Sequence, residues 1–207
     1  YLRGELAQSM FVDFKRVMDS QRLAVPFGIA QVGRVFRNEI TPGNFTFRTL
    51  EFDLMEFEYF VREDTWERWF AYWVQDMQTF ALQEVGLTDA RLRTREHASQ
   101  ERSHYSKKTV DIEYETPFGW KELFGIAYRP HDLQNHAEKS GTDLRATDPA
   151  TGEKFYPHVI EPTFGLTRLV LMVLLDAYDE ETVEGDTRVV LRFRPQVAPV
   201  QVAVFPL

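Results

Sequence analysis

Val32-Gly33-Arg34-Val35-Phe36-Arg37-Asn38-Glu39, then Thr41-Pro42-Gly43-Asn44, then Phe47-Arg48-Thr49-Leu50-Glu51-Phe52-Asp53-Leu54-Met55-Glu56-Phe57-Glu58-Tyr59-Phe60-Val61: the rest of the chain is organised around this stretch. The two flanks alternate as strands do, and Pro-Gly and Gly-Asn are turn chemistry. Residues 30–61 therefore read as a long β-hairpin. Side chains of a strand alternate between faces, which puts Arg37 with Glu39 and, on the return strand, Arg48 with Phe52 and Glu56. Charges recurring with a large aromatic along apolar strands fit two readings. One is a solvated sheet face carrying salt bridges. The other is a face that receives a ligand, because buried charges are costly unless paired or bound.

Composition bounds the alternatives. The chain has 207 residues, 43% hydrophobic and 27% charged, as in an ordinary soluble globular protein with room for one good core. It has no cysteine, so disulfides and thiolate metal sites are excluded. No apolar run reaches membrane-spanning length and no signal peptide opens the chain, so a membrane partner is not expected and a cytoplasmic location is. The net charge of −8 argues against a general nucleic-acid coat but leaves room for a local basic patch. Both ends look cut.

Further elements follow from periodicity. Residues 5–20 have helical spacing at Leu6, Met10, Phe11, Phe14, Val17 and Met18. Residues 64–85 predict a helix with Asp64 and Glu67 at capping-box spacing, an aromatic stripe at Trp66, Trp69, Phe70, Trp73, Met77 and Phe80, and a stop at Gly86. Residues 91–108 read as a solvated, charged connection. His97 and His104 are seven apart without a third ligand, so a zinc site is rejected. Residues 109–127 predict a second hairpin turning at Thr116-Pro117-Phe118-Gly119. Residues 133–155 read mostly as loop, with His131 and His136 as solvated or core histidines. Residues 157–168 run from strand into helix, and the helix 166–178 is nearly all apolar, hence buried. Its Arg168 must then face a cleft or a partner. Residues 179–186 read as an acidic surface turn and 188–194 as a strand.

Phe36-Arg37-Asn38-Glu39, a turn, then Phe47-Arg48 and Glu51-Phe52 resembles motif 2 of the class II aminoacyl-tRNA synthetases. The fuller string, from Gly28-Ile29-Ala30-Gln31-Val32-Gly33 through to Glu56-Phe57-Glu58-Tyr59-Phe60, looks like the glycyl-tRNA synthetase version. Pro157-His158-Val159-Ile160-Glu161-Pro162-Thr163-Phe164-Gly165-Leu166-Thr167-Arg168 resembles motif 3, and the two matches stand in the family's order. The resemblance covers nearly the whole chain. It implies an α+β fold, a class II synthetase-like antiparallel sheet flanked by helices, over residues 1–194, with motif 1 absent. Residues 195–207 then correspond to a linker and the first strand, 200–207, of a truncated anticodon-binding domain.

The implied activity is ATP-dependent activation of glycine to glycyl-adenylate and transfer to tRNA, with ATP and Mg²⁺ required and a homodimer for the full-length protein. Arg37 and Arg168 are the implied catalytic residues. The implied ATP site is Arg37 at the α-phosphate, Glu39 at the adenine amino group, Phe52 stacked on the ring, Arg48 and Arg168 at the outer phosphates, and Glu122. The implied glycine site is Glu5, Glu56, Glu161 and Thr163 around the ammonium, with Arg129 at the carboxylate; a structural ion pair is the rival role for Arg129. No metal ligand set is implied. The chain departs from the family pattern at Gly43 and Leu50, where relatives have arginine, at Leu54, where they have glutamine, and at Phe124, where a second carboxylate is expected. Those departures keep two alternatives open: a non-catalytic accessory subunit, and activation of an amino acid for a carrier other than tRNA.

Overall fold

The computed structural model describes residues 1–206. In chain order its elements are α1 (Ala7–Gln21), β1 (Phe27–Phe36), β2 (Glu51–Val61), α2 (Trp66–Thr79), β3 (Leu92–Glu96), β4 (Lys108–Thr116), β5 (Gly119–Arg129), α3 (Asp132–Ser140), β6 (Ala146–Thr147), β7 (Lys154–Phe155), β8 (His158–Gly165), α4 (Leu166–Ala177), β9 (Tyr178–Val183) and β10 (Asp186–Leu191). Six strands form one antiparallel sheet in the order β1-β2-β8-β5-β4-β3. β6–β7 and β9–β10 are separate two-stranded ribbons.

Both faces of the sheet are covered, unequally. Alternation along β2 sends Met55, Phe57, Tyr59 and Val61 into a core shared with α2 and α4, through Phe70, Met77 and Met172. The opposite residue set meets α1 and α3: Phe60 packs with Phe14 and Phe27, and Leu133, Ala137 and Val159 close that cluster. α1 and α3 cover only part of this second face, and what they leave open is the cleft described below. Its floor is set by register. Glu56 pairs with Thr163, Thr163 with Gly125, and Gly125 with Asp111, so one row of residues crosses four strands.

Several expectations shift. β1 ends at Phe36 and β2 begins at Glu51, so Arg37, Glu39 and Arg48 lie in the connection, not on strand faces. Thr41-Pro42-Gly43-Asn44 makes a wider loop, in which Gly43 and Arg48 form an isolated bridge. The Asp64–Glu67 capping box does not form: a 3₁₀ turn at Glu63–Thr65 leads in, and Thr65, at the N-cap, makes no side-chain cap. The helix ends in a π-turn, Phe80–Val85, stopped by Gly86 at φ +87°.

The connection 91–108 holds β3, an edge strand whose charged residues suit an edge. The stretch 133–155 contains α3, which carries only Leu133 and Ala137 as buried residues, too few to give a periodic signal. The acidic turn is strand β9, held by Arg188 and Arg192 against Asp179 and Glu181. α4 is only half-buried, with Val170 56% exposed. Residues 200–206 form no strand; an extended segment becomes one only by pairing, and these have no pairing neighbour among the described residues. Leu207 lies outside the described residues.

Candidate active site

A cleft of about 360 Å³ opens on the α1/α3 face of the sheet. It has two chemically distinct ends. Glu5, Glu56, Glu161 and Thr163 line one, and Arg37, Glu39, Arg48, Phe52, Glu122 and Arg168 line the other. Apart from Arg129, every site residue expected from the sequence borders this one space, although they come from five separate segments.

The acidic end is the more buried. Glu161 and Glu56 are 6% and 3% exposed. Glu56 Oε2 accepts a hydrogen bond from the Leu6 amide at 2.7 Å. Burial raises its pKa, more than that bond lowers it. Glu161 Oε1 accepts from Arg129 Nη1 at 2.6 Å, yet burial pushes the Glu161 carboxyl up to about 7. Arg129 lowers it less than burial raises it, and the Glu56 and Glu5 charges add to the rise. Arg129 Nε and Nη2 donate to both oxygens of Asp132, at 3.1 and 2.7 Å, and its plane stacks on Tyr105 at 4.2 Å. Burial works against the Arg129 charge, but Asp132 and Glu161 outweigh it and hold its pKa above the ordinary value. Arg129 thus lies behind the cleft wall in a structural ion pair rather than on the cleft surface where a substrate carboxylate would meet it.

Sequence reasoning passed over Glu58. It is fully buried, and neither carboxyl oxygen has a hydrogen-bond partner among the described residues. Burial, then the nearby Glu161 charge, raises its pKa well above the ordinary carboxylate value. Three carboxyl groups beside an arginine already held by Asp132 leave this end short of positive charge. A cationic ligand would supply it.

The basic end is more open. Arg37 Nε donates to the Gly4 carbonyl at 3.0 Å, and its guanidinium sits 5.3 Å from the centre of the Phe52 ring. Phe52 therefore offers its face to a guanidinium here, where the resemblance implies an adenine. Arg168, in the first turn of α4, donates to the Glu122 backbone carbonyl at 2.8 Å, faces the Glu122 carboxylate at 3.2 Å and lies over the Phe47 ring at 4.4 Å. Arg48 Nε and Glu39 Oε2 are 3.9 Å apart and partly exposed.

The departures from the family pattern have separate structural outcomes. Leu54 is buried in the cleft floor. Leu50 is 52% exposed, lies outside β2 and does not line the cleft. Phe124 packs with Phe164 and Phe80 in the opposite core, so its side chain does not face the cleft at all. A pair that sequence spacing did not flag, His97 Nε2 and Asp111 Oδ2 at 2.6 Å, lines the cleft beyond Gly125. Alternation along β4 already separated Asp111 from the apolar face, which was the available signal.

No group of three or more His, Cys, Asp or Glu side chains among the described residues is arranged to hold a metal ion. A divalent ion entering with a phosphate ligand needs only one or two carboxylates, and Glu122 beside Arg168 fits that role. None of the described helices is long and apolar enough to cross a membrane.

The fold is an α+β domain whose cleft is lined by carboxylates at one end and by arginines at the other. No family model matches the chain. Glycine–tRNA ligase of Caldanaerobacter subterraneus subsp. tengcongensis is 56% identical to it over 208 residues, covering all of this chain and 45% of that enzyme. The glycine–tRNA ligases of Clostridium acetobutylicum and Alkaliphilus oremlandii are each 53% identical over 209 residues, with the same coverage. Along its whole length the chain is similar to one part of these glycine–tRNA ligases. It spans about half the length of the curated relatives it matches.

Proposed function

We propose that residues 1–194 form the class II synthetase-like catalytic domain of a glycine–tRNA ligase, which activates glycine with ATP to glycyl-adenylate and transfers it to tRNA. The observation that carries this reading is the two-ended cleft: carboxylates at Glu5, Glu56 and Glu161 opposite Arg37, Arg48 and Arg168. Glycine has no side chain to recognise, so its ammonium and the lack of room must select it. Glu5 and Glu161 meet the ammonium, with Thr163 beside them. The buried, undercharged carboxylates favour a cation there over an empty pocket.

The glycine carboxylate then points toward the arginine end. One of its oxygens attacks the α-phosphorus, the bond to the bridging oxygen of the β-phosphate breaks, and pyrophosphate leaves. Arg37, with Nε held by Gly4, has its two terminal nitrogens free to stabilise the charge developing on the α-phosphate. Arg168 and Arg48 serve the outer phosphates, and Phe52 and Glu39 the adenine once Arg37 turns to the phosphate. Mg²⁺, if held on the protein side by Glu122, would neutralise phosphate charge. Arg129 acts indirectly, by fixing Glu161. The deciding experiment is glycine-dependent ATP–pyrophosphate exchange by the complete protein, followed by charging of tRNA. A homodimer and a cytoplasmic setting accompany this reading.

One observation favours a second reading. Gly43 is bridged to Arg48 in the loop, with no described atom within 4 Å of where its Cβ would stand, and the synthetase pattern has there an arginine suited to a nucleic-acid end. A paralogue that activates an amino acid for another carrier, or a non-catalytic accessory subunit, would lose that residue first. Exchange without tRNA charging selects the former, and absence of both selects the latter.

A further inference from the structure

The cleft has a third wall. Across its floor the row Glu56, Thr163, Gly125 and Asp111 runs over four strands, and Gly125 is the one position in it without a side chain. A Cβ at residue 125 would stand 3.4 Å from Glu122 Oε1 and 3.8 Å from Asp111 Oδ1, so Asp111 borders the gap that the glycine leaves. Thr163 and Asp111 lie two strand spacings apart, about 10 Å. Beyond the gap stands His97, whose Nε2 bonds Asp111 Oδ2 at 2.6 Å. Backbone bonds hold His97 in place: its amide donates to the Thr109 carbonyl at 3.0 Å, and its carbonyl accepts from Arg102 Nε at 3.1 Å. The residue lines the cleft, and its Nδ1 makes no hydrogen bond among the described residues. With Nε2–H donating to Asp111, Nδ1 carries the free lone pair. That is the arrangement of a positioned proton acceptor, whose carboxylate partner fixes the tautomer and stabilises the charged ring. The other charged groups around the pair are Glu122 and Glu113 on the sheet, and Glu101 and Arg102 on the connection that begins at His97.

We propose that His97, oriented by Asp111, is the proton acceptor of the transfer step, and that the gap over Gly125 receives the ribose hydroxyl at the acceptor end of tRNA. The inference rests on the proposed reaction. There the glycyl ammonium faces Glu5 and Glu161 and the phosphate faces Arg37, so a nucleophile must reach the carbonyl from the remaining side, which His97 and Asp111 wall. The hydroxyl oxygen bonds the carbonyl carbon, the bond from that carbon to the phosphate oxygen breaks, and AMP leaves with the electron pair. The hydroxyl proton goes to His97 Nδ1, directly or through one water, and Asp111 stabilises the imidazolium.

Transfer and activation are separable in the complete protein. Preformed, enzyme-bound glycyl-adenylate mixed with tRNA in a single turnover reads transfer, and ATP–pyrophosphate exchange reads activation. His97→Gln should slow transfer by about 100-fold or more, while exchange falls by about threefold at most. The wild-type transfer rate should rise with pH on the acid side, where the acceptor loses its proton, and His97→Gln should flatten that rise. Asp111→Asn, which no longer offsets the charge of the ring, should also cost transfer more than exchange. Equal losses of transfer and exchange in His97→Gln would make the pair a structural support of the cleft and overturn the proposal. So would wild-type transfer, with an unaltered pH profile, in that variant. Wild-type protein that forms glycyl-adenylate but charges no tRNA would also overturn it and leave activation standing. Wild-type protein without pyrophosphate exchange would reject the reaction itself, and the role of His97 with it.

Discussion

Replacing Glu161 with glutamine should make the protein more stable at alkaline pH and worse at binding glycine. Glu161 is buried, and its pKa stands at about 7 in the folded state, against an ordinary value of about 4.5 in an unfolded chain. The folded state therefore holds a proton that the unfolded state has lost between those values. Its contribution to stability is fully present below the unfolded pKa and is lost as pH rises through the folded one. At 1.36 kcal/mol per pKa unit, the loss above neutral pH is about 3 kcal/mol. Glutamine removes the ionisation but keeps an oxygen for Arg129 Nη1, which now bonds Glu161 at 2.6 Å. Glu161→Gln and wild type should thus unfold alike at about pH 3.5, and the variant should be the more stable by about 3 kcal/mol at about pH 8.5. For a chain of this size that is roughly 6–12 °C in Tm.

Urea denaturation at these two pH values and at neutrality measures this, with calorimetric titration of glycine and ATP beside it. Losing a charge-assisted bond to the ammonium should weaken glycine binding by roughly 10–150-fold and leave ATP nearly untouched. A variant less stable than wild type at the alkaline end would refute the burial argument. An equal loss of glycine and ATP would mean that Glu161 supports the fold or a metal instead of the ammonium.

Three other outcomes are expected. Arg37→Ala should lower pyrophosphate exchange by about 100–1,000-fold, as for a single lost transition-state donor; the side chain borders an open cleft, so circular dichroism melting should match wild type. Arg129→Met should destabilise by about 3–5 kcal/mol in urea, because it strands Asp132 and Glu161; a folded, stable variant that merely loses glycine affinity would return Arg129 to the role of substrate ligand. Phe60→Ala, which empties the space against Phe14 and Phe27, should cost about 3–5 kcal/mol by the same measurement.

What the sequence determined by itself was local. The alternation in 51–61 and 108–116, the turn chemistry at 116–119, and the 3.6-residue stripes of α1 and α2 are each visible within one segment, because a strand or helix announces which face it will bury. The resemblance to synthetase motifs added the residues of the cleft, which the local pattern could not rank. Tertiary structure decided the rest. α3 exists because Leu133 and Ala137 pack under α1, a partner more than a hundred residues away. β3 is a strand because β4 supplies its ladder, although its composition reads as a charged loop. β8 enters between β2 and β5, and only that insertion brings Thr163 beside Glu56 and Gly125. The same insertion surrounds Glu58 with protein and leaves it unpartnered among the described residues, its pKa raised by burial, and it commits Arg129 to Asp132 and Glu161 before any ligand arrives. Periodicity is a property of one segment's own faces. Register between distant strands, and the charge state of what is buried there, depends on which other segments supply the walls.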